Sequence, residues 1–108
     1  MIKTQKNESD INGKAGIYAI KINGKKVYIG KSTDLLQRMA SHLSHIYGET
    51  EKSQAHKYQI LKEASNKGMA IEIDVLYYCP LLDNEEIKED IGEAEMLFIH
   101  HYKPALNI

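Results

Sequence analysis

An α+β domain, with a small three-stranded sheet flanked by helices, is what the sequence predicts. Three observations carry that reading. "GIYAIKI" and "KKVYIG" alternate as strands should, and they are joined by Asn23-Gly24, the strongest short hairpin signal. Apolar residues then recur at helical spacing through Leu35, Leu36, Met39, Ala40, Leu43, Ile46 and Tyr47. A third apolar strand, "MAIEIDVLYY", is followed by one long helical stretch, so that a hairpin, two helices, a strand and a helix sum to an α+β sandwich.

Taken in order, residues 1–14 are polar and aperiodic, and read as a loose leader or an extra edge segment. The hairpin of residues 16–30 follows, closed by Gly30. "KSTD" then offers helix caps at Ser32, Thr33 or Asp34, and Gly48 ends the first helix. "ETEKSQ" is a polar loop. A second helix spans His56 to Lys67, packing Tyr58, Ile60, Leu61 and Ala64, with Gly68 as its cap. The third strand turns continuously apolar, as a central strand does, until Pro80 stops it. "DNEEIKEDIGEAEMLFIHHY" is the last helix, capped by Asp83 or Asn84, with acids in its first turn suiting the dipole. Gly92 in its middle costs about 1 kcal/mol against alanine and marks a place for a break. "KPALNI" is an extended tail.

At 108 residues the chain is one domain, large enough to bury a core without staples. One cysteine, Cys79, lies in the apolar run "VLYYCP"; it cannot pair internally and reads as a buried structural thiol in a reducing, cytoplasmic-type compartment. The first ten residues lack the apolar stretch of a secretory signal, and no run spans a membrane. Net charge is −1, but it is unevenly spread. Residues 1–82 hold 12 basic against 8 acidic side chains; residues 83–108 hold 2 against 7. Lys21, Lys25, Lys26, Lys31 and Arg38 cluster on and after the hairpin, a modest footprint for a polyanion.

Singly, each polar candidate has a bland reading: strand tyrosines fill cores, and a helix arginine is surface charge. Arg38 and His42, four apart, share one face of the first helix. His100-His101 is no metal pair, because adjacent helix positions diverge by about 100°. His45 and His56 lack partners at ligand spacing and read as surface.

Together the candidates form a pattern. "GIY" at 16–18, "YIG" at 28–30, the run "YIGKSTDLLQRMASH", and Glu95, Ile99, Tyr102, Pro104 and Asn107 within "EMLFIHHYKPALN" resemble, in order, the motifs of the GIY-YIG nuclease superfamily. The resemblance spans residues 15–108. It implies a three-stranded antiparallel sheet flanked by helices and a metal-dependent endonuclease that hydrolyses DNA phosphodiesters. The alternative is a non-catalytic DNA- or protein-interaction module on the same scaffold. Phage intron-homing endonucleases and the incision subunit of bacterial excision repair belong to that superfamily, so mobile-element and DNA-repair settings are both implied.

The resemblance makes Tyr18, Tyr28, Arg38, His42 and Glu95 the catalytic set. Glu95 is the metal ligand, and Lys31, Lys26 and Asn107 are substrate contacts, Asn107 chiefly by tying the tail to the site. One carboxylate suits a single Mg²⁺ or Mn²⁺ ion that keeps most of its waters. Arg38 matches a phosphate fork, and one of the two motif tyrosines, Tyr18 by preference, activates water. Such domains borrow DNA affinity from an appended domain or a separate partner. The near-neutral charge fits that, and predicts weak, salt-sensitive binding to bare duplex.

Overall fold

The computed structural model of the chain describes residues 2–4, 13–48 and 55–107. Its hairpin joins β2 (Gly16–Ile22) to β3 (Lys25–Ser32). Asn23 and Gly24 take φ of 50° and 83°, the two left-handed residues of a type I′ turn, whose twist matches that of paired strands. Asn23 also ties the turn to the next strand: its side-chain oxygen accepts from Ala70 N at 2.9 Å, and its N–H donates to Ala70 O at 2.8 Å.

β4 (Ile71–Tyr78) lies antiparallel on the other side of β2. A short strand, β1 (Ile2–Thr4), runs parallel along the outer side of β4, giving the order β1-β4-β2-β3. The antiparallel three-stranded sheet is therefore extended by an edge segment at residues 2–4. Residues 1 and 5–12 of the polar leader and the "ETEKSQ" loop lie outside the described residues.

Alternation along the strands sends apolar side chains to both faces of the sheet. Tyr18, Ile20, Ile71 and Ile73 pack with Leu35, Met39 and Ile46 of α1 (Leu35–Tyr47) and with Tyr58, Leu61 and Ala64 of α2 (His56–Asn66). Ile17, Ala19 and Ile29 pack on the opposite face with Ile91 of α3 (Asn84–Tyr102). Two helices cover one face, and the third covers the other.

The caps that the sequence left open resolve to Asp34 and Asp83. Their carboxylates accept from Gln37 N at 3.2 Å and Glu86 N at 3.1 Å. α3 runs unbroken through Gly92, its burial of Ile91 and the residues around Phe98 outweighing one glycine. Lys103, at φ 47°, ends it, and buried Pro104 turns the tail back along β3.

That tail closes the sheet. Leu106 N donates to Val27 O at 2.8 Å, and the Asn107 carboxamide brackets Ile29, accepting from its N–H and donating to its carbonyl, each at 2.7 Å. A free strand edge invites pairing with other chains, and here two residues of the tail occupy it.

Candidate active site

Register places the motif residues. Tyr18 stands opposite Gly30 and Ile20 opposite Tyr28, so both tyrosines project from the α1–α2 face of the sheet. Their ring centroids are 6.4 Å apart. The glycines of the two tripeptides are explained by close approach. A Cβ on Gly30 would lie 2.3 Å from Tyr18 Oη and 2.5 Å from its Cζ, so the ring rests directly on the Gly30 backbone. A Cβ on Gly16 would lie 1.9 Å from the Tyr77 carbonyl oxygen, where β2 and β4 meet. Between Ile17 and Tyr18 the β2–β4 pairing shifts by one residue, a bulge of the kind that re-aims side chains.

His42 reaches this patch from α1. It is 1% exposed, and its Nε2 lies 2.6 Å from Tyr18 Oη while its Nδ1 lies 2.7 Å from Tyr58 Oη. Burial, reinforced by the charges of Lys57, Arg38 and His45, pulls the His42 pKa down to about 3, so the ring is neutral near pH 7. Burial likewise raises the Tyr58 phenol to about 12, with Tyr28 adding and Arg38 opposing. Tyr18, 2% exposed, is raised further, again chiefly by burial, with Tyr28, Tyr58 and Glu95 adding and Arg38 opposing. Both buried phenols stay protonated at neutral pH.

Tyr28 differs. It is half-buried, and among the described residues no hydrogen bond holds its hydroxyl. Lys57 Nζ lies 4.2 Å from its ring centroid, a cation–π contact delivered by α2.

Arg38, one turn before His42, is exposed and has no ion-pair partner among the described residues. With Lys31, Thr33, Gln37, Ser41 and Lys88 it lines a cleft of about 560 Å³ between α1, the end of β3 and α3. Glu95 follows on α3, one turn beyond Ile91. It is half-buried, likewise unpaired among the described residues, and close enough to act on the Tyr18 phenol, as Arg38 does. Among the described residues no group of three or more His, Cys, Asp or Glu side chains gathers. A lone unpaired carboxylate beside a basic cleft fits a hard cation that retains most of its waters and takes a phosphate oxygen.

The family model of the GIY-YIG catalytic domain matches residues 14–107. The chain is a GIY-YIG protein. No curated protein matches it in sequence. Among solved structures, the magnesium-bound GIY-YIG N-terminal endonuclease domain of UvrC from Thermotoga maritima is 22% identical, with TM-score 0.56 over 91% of this chain and 88% of that one. A point mutant of the same domain bound to its divalent cation gives TM-score 0.55 at 22% identity, over 91% and 87%. A point mutant of bacteriophage T4 EndoII is 26% identical, with TM-score 0.60 over 90% of this chain and 74% of that one.

In this GIY-YIG domain Tyr18, Tyr28 and His42 form one contact cluster, Arg38 and Glu95 both act on Tyr18, and Lys31 lines the adjoining cleft. Two further sequence candidates, Lys26 and Asn107, have partners outside the cleft. A bulge at Val27 sets Lys26 opposite Lys21, and its ammonium lies 4.5 Å over the Tyr102 ring. That is five residues, about 16 Å of strand, from Lys31. Asn107 spends its carboxamide on the Ile29 backbone, which is the tie between tail and site. Lys21 is likewise committed, paired with buried Asp74. His45 is half-buried against Tyr58 rather than on the surface, their ring centroids 4.9 Å apart.

Lys57 and Lys88 stand at the site without any reading in the sequence, and Tyr58 joins them with a role beyond packing. Lys88 had a signal, since 88, 92 and 95 share one face of α3 and a lysine among acids there is conspicuous. Tyr58 was read as packing, which it is; its hydroxyl was the part overlooked.

Proposed function

We propose that this chain is a divalent-metal-dependent endonuclease that hydrolyses DNA phosphodiester bonds, a catalytic module that takes its specificity from a separate DNA-binding domain or partner. The observation that carries the reading is that Arg38 and Glu95, opposite charges without an ion-pair partner among the described residues, both act on Tyr18, which packs against Tyr28 beside a cleft holding Lys31 and Lys88. The UvrC domain in complex with magnesium and the EndoII relative support the same class.

The roles follow from the chemistry of each group. Arg38 and Lys31 receive the non-bridging phosphate oxygens, the guanidinium as a fork and the ammonium as a point charge. Glu95 holds Mg²⁺ or Mn²⁺, which supplies charge neutralisation at the phosphate and at the leaving oxygen. Tyr28, whose hydroxyl has no hydrogen bond among the described residues, takes the proton of the attacking water as the phenolate, having first released its own proton to solvent, while Tyr18 is locked against Gly30 and His42 and orders the reacting groups. The acidic α3, net −5 over residues 83–108, gives DNA little purchase, which is why affinity is assigned to a partner. The single thiol accords with a cytoplasmic setting.

The test is nicking of supercoiled plasmid with Mg²⁺ by the native chain, Arg38→Ala and Glu95→Ala. Nicking by the native chain that both substitutions and EDTA abolish is the expected result. Equal activity in all three preparations marks a contaminant and leaves the interaction-module reading in its place.

A further inference from the structure

The Tyr18–His42–Tyr58 chain is short of one acceptor. Among the described residues each phenol oxygen bonds only His42, Tyr18 at Nε2 and Tyr58 at Nδ1. A neutral imidazole has one N–H and one bare nitrogen. One phenol therefore donates to the ring, and the other accepts from it and must aim its own proton elsewhere. The surroundings break the tie. Tyr58, 4% exposed, is flanked by Lys57, 5.1 Å from its ring centroid, and by His45, and Arg38 acts on it; no carboxylate does. Tyr18 has Glu95 within electrostatic reach. Among the described residues a hydroxyl proton turned away from His42 has a carboxylate within reach on the Tyr18 side, whereas Tyr58 is surrounded by Lys57, Arg38, Tyr28 and His45, none of them anionic acceptors.

We infer that Tyr58 is a positioning residue of the active site: its O–H donates to His42 Nδ1, fixes the Nε2–H tautomer, and so turns the Tyr18 O–H outward toward Glu95. Tyr58 lies on α2, outside every motif residue that identifies the family. The tautomer makes Tyr18 a hydrogen-bond donor within the site, and leaves the role of proton acceptor to Tyr28. A second consequence is rigidity, because each member of the chain holds the next in a single orientation.

The inference rests on the nuclease reading only for its effect on cleavage, so it is tested in two arms. Long-range ¹⁵N–¹H spectra of the full chain, with the His42 signals assigned by their loss in His42→Gln, report which ring nitrogen carries the proton. A protonated Nε2 is expected in the native chain, and a mixture of tautomers in Tyr58→Phe. A protonated Nδ1 in the native chain overturns the proposal, as does a pure Nε2–H tautomer in Tyr58→Phe. The native spectrum decides the matter even if Tyr58→Phe does not fold. In the second arm, single-turnover cleavage by Tyr58→Phe falls about tenfold with DNA binding unchanged, equivalent to about 1.4 kcal/mol. Native-like cleavage by that variant removes the catalytic consequence. A native chain that cleaves nothing defeats the nuclease reading and leaves the tautomer result standing on its own.

Discussion

Gly30→Ala is the substitution whose outcome the structure specifies most closely. The new Cβ would sit 2.3 Å from Tyr18 Oη and 2.5 Å from Cζ, where ordinary contact begins near 3.4 Å. The ring must therefore retreat by about 1 Å, which lengthens the 2.6 Å bond to His42 beyond hydrogen-bonding distance. Overpacking of this kind costs about 1–3 kcal/mol. The stranded His42 nitrogen, 1% exposed, adds about 1–3 kcal/mol for an unsatisfied buried polar group. For a domain of this size the sum lowers the melting temperature by about 10 °C or more. Urea unfolding of the single and double variants measures it. In a Tyr18→Ala background there is no ring to displace, so adding Gly30→Ala costs less than about 1 kcal/mol, and the cycle is strongly non-additive. Equal costs in the two backgrounds, or a Gly30→Ala protein as stable as the native one, would refute the account of why glycine occupies this position.

Other outcomes follow from the same geometry. Because burial holds the His42 pKa at about 3 against an unfolded value of 6.5, the unfolded chain binds the extra proton in that window. Its contribution to stability is intact above pH 6.5 and is lost as pH falls toward 3, at up to about 1.4 kcal/mol per pH unit. The difference between native and His42→Gln unfolding curves across that range isolates it. Asn107→Ala, which removes both bonds to Ile29, destabilises by about 1–3 kcal/mol in the same measurement. If Lys31, Arg38 and Lys88 each neutralise one phosphate, raising salt from 50 to 200 mM weakens duplex binding about 40-fold, and Lys88→Ala lowers the slope of log K against log salt by about 0.9. A Lys88→Ala slope equal to that of the native chain removes that residue from the interface.

Much of the scaffold was legible because it is written locally. Asn23-Gly24, the 3–4 spacing after Leu35 and the acids after Asp83 each act within a few residues. The motif residues could be recognised, but their reasons could not, since Gly30 answers to a ring on the neighbouring strand and Gly16 to a carbonyl of β4. A one-residue bulge turns Lys26 to the α3 face, over Tyr102, and nothing in "KKVYIGK" announces it. Tyr58 escaped notice for a similar reason. The azimuth of α2 about its own axis is set by Leu61 and Ala64 packing on the sheet, and only that packing aims its hydroxyl at His42.

The bracket that Asn107 places around Ile29 joins residues 78 positions apart, and Ile29 is the immediate neighbour of Tyr28. During synthesis the hairpin emerges early, yet its outer strand stays unlatched until position 107 has left the ribosome. A half-made polypeptide thus carries both tyrosines without the fastening that steadies one of them. The chain makes its tyrosine pair first and fixes it last, with Asn107 as the residue that completes the frame.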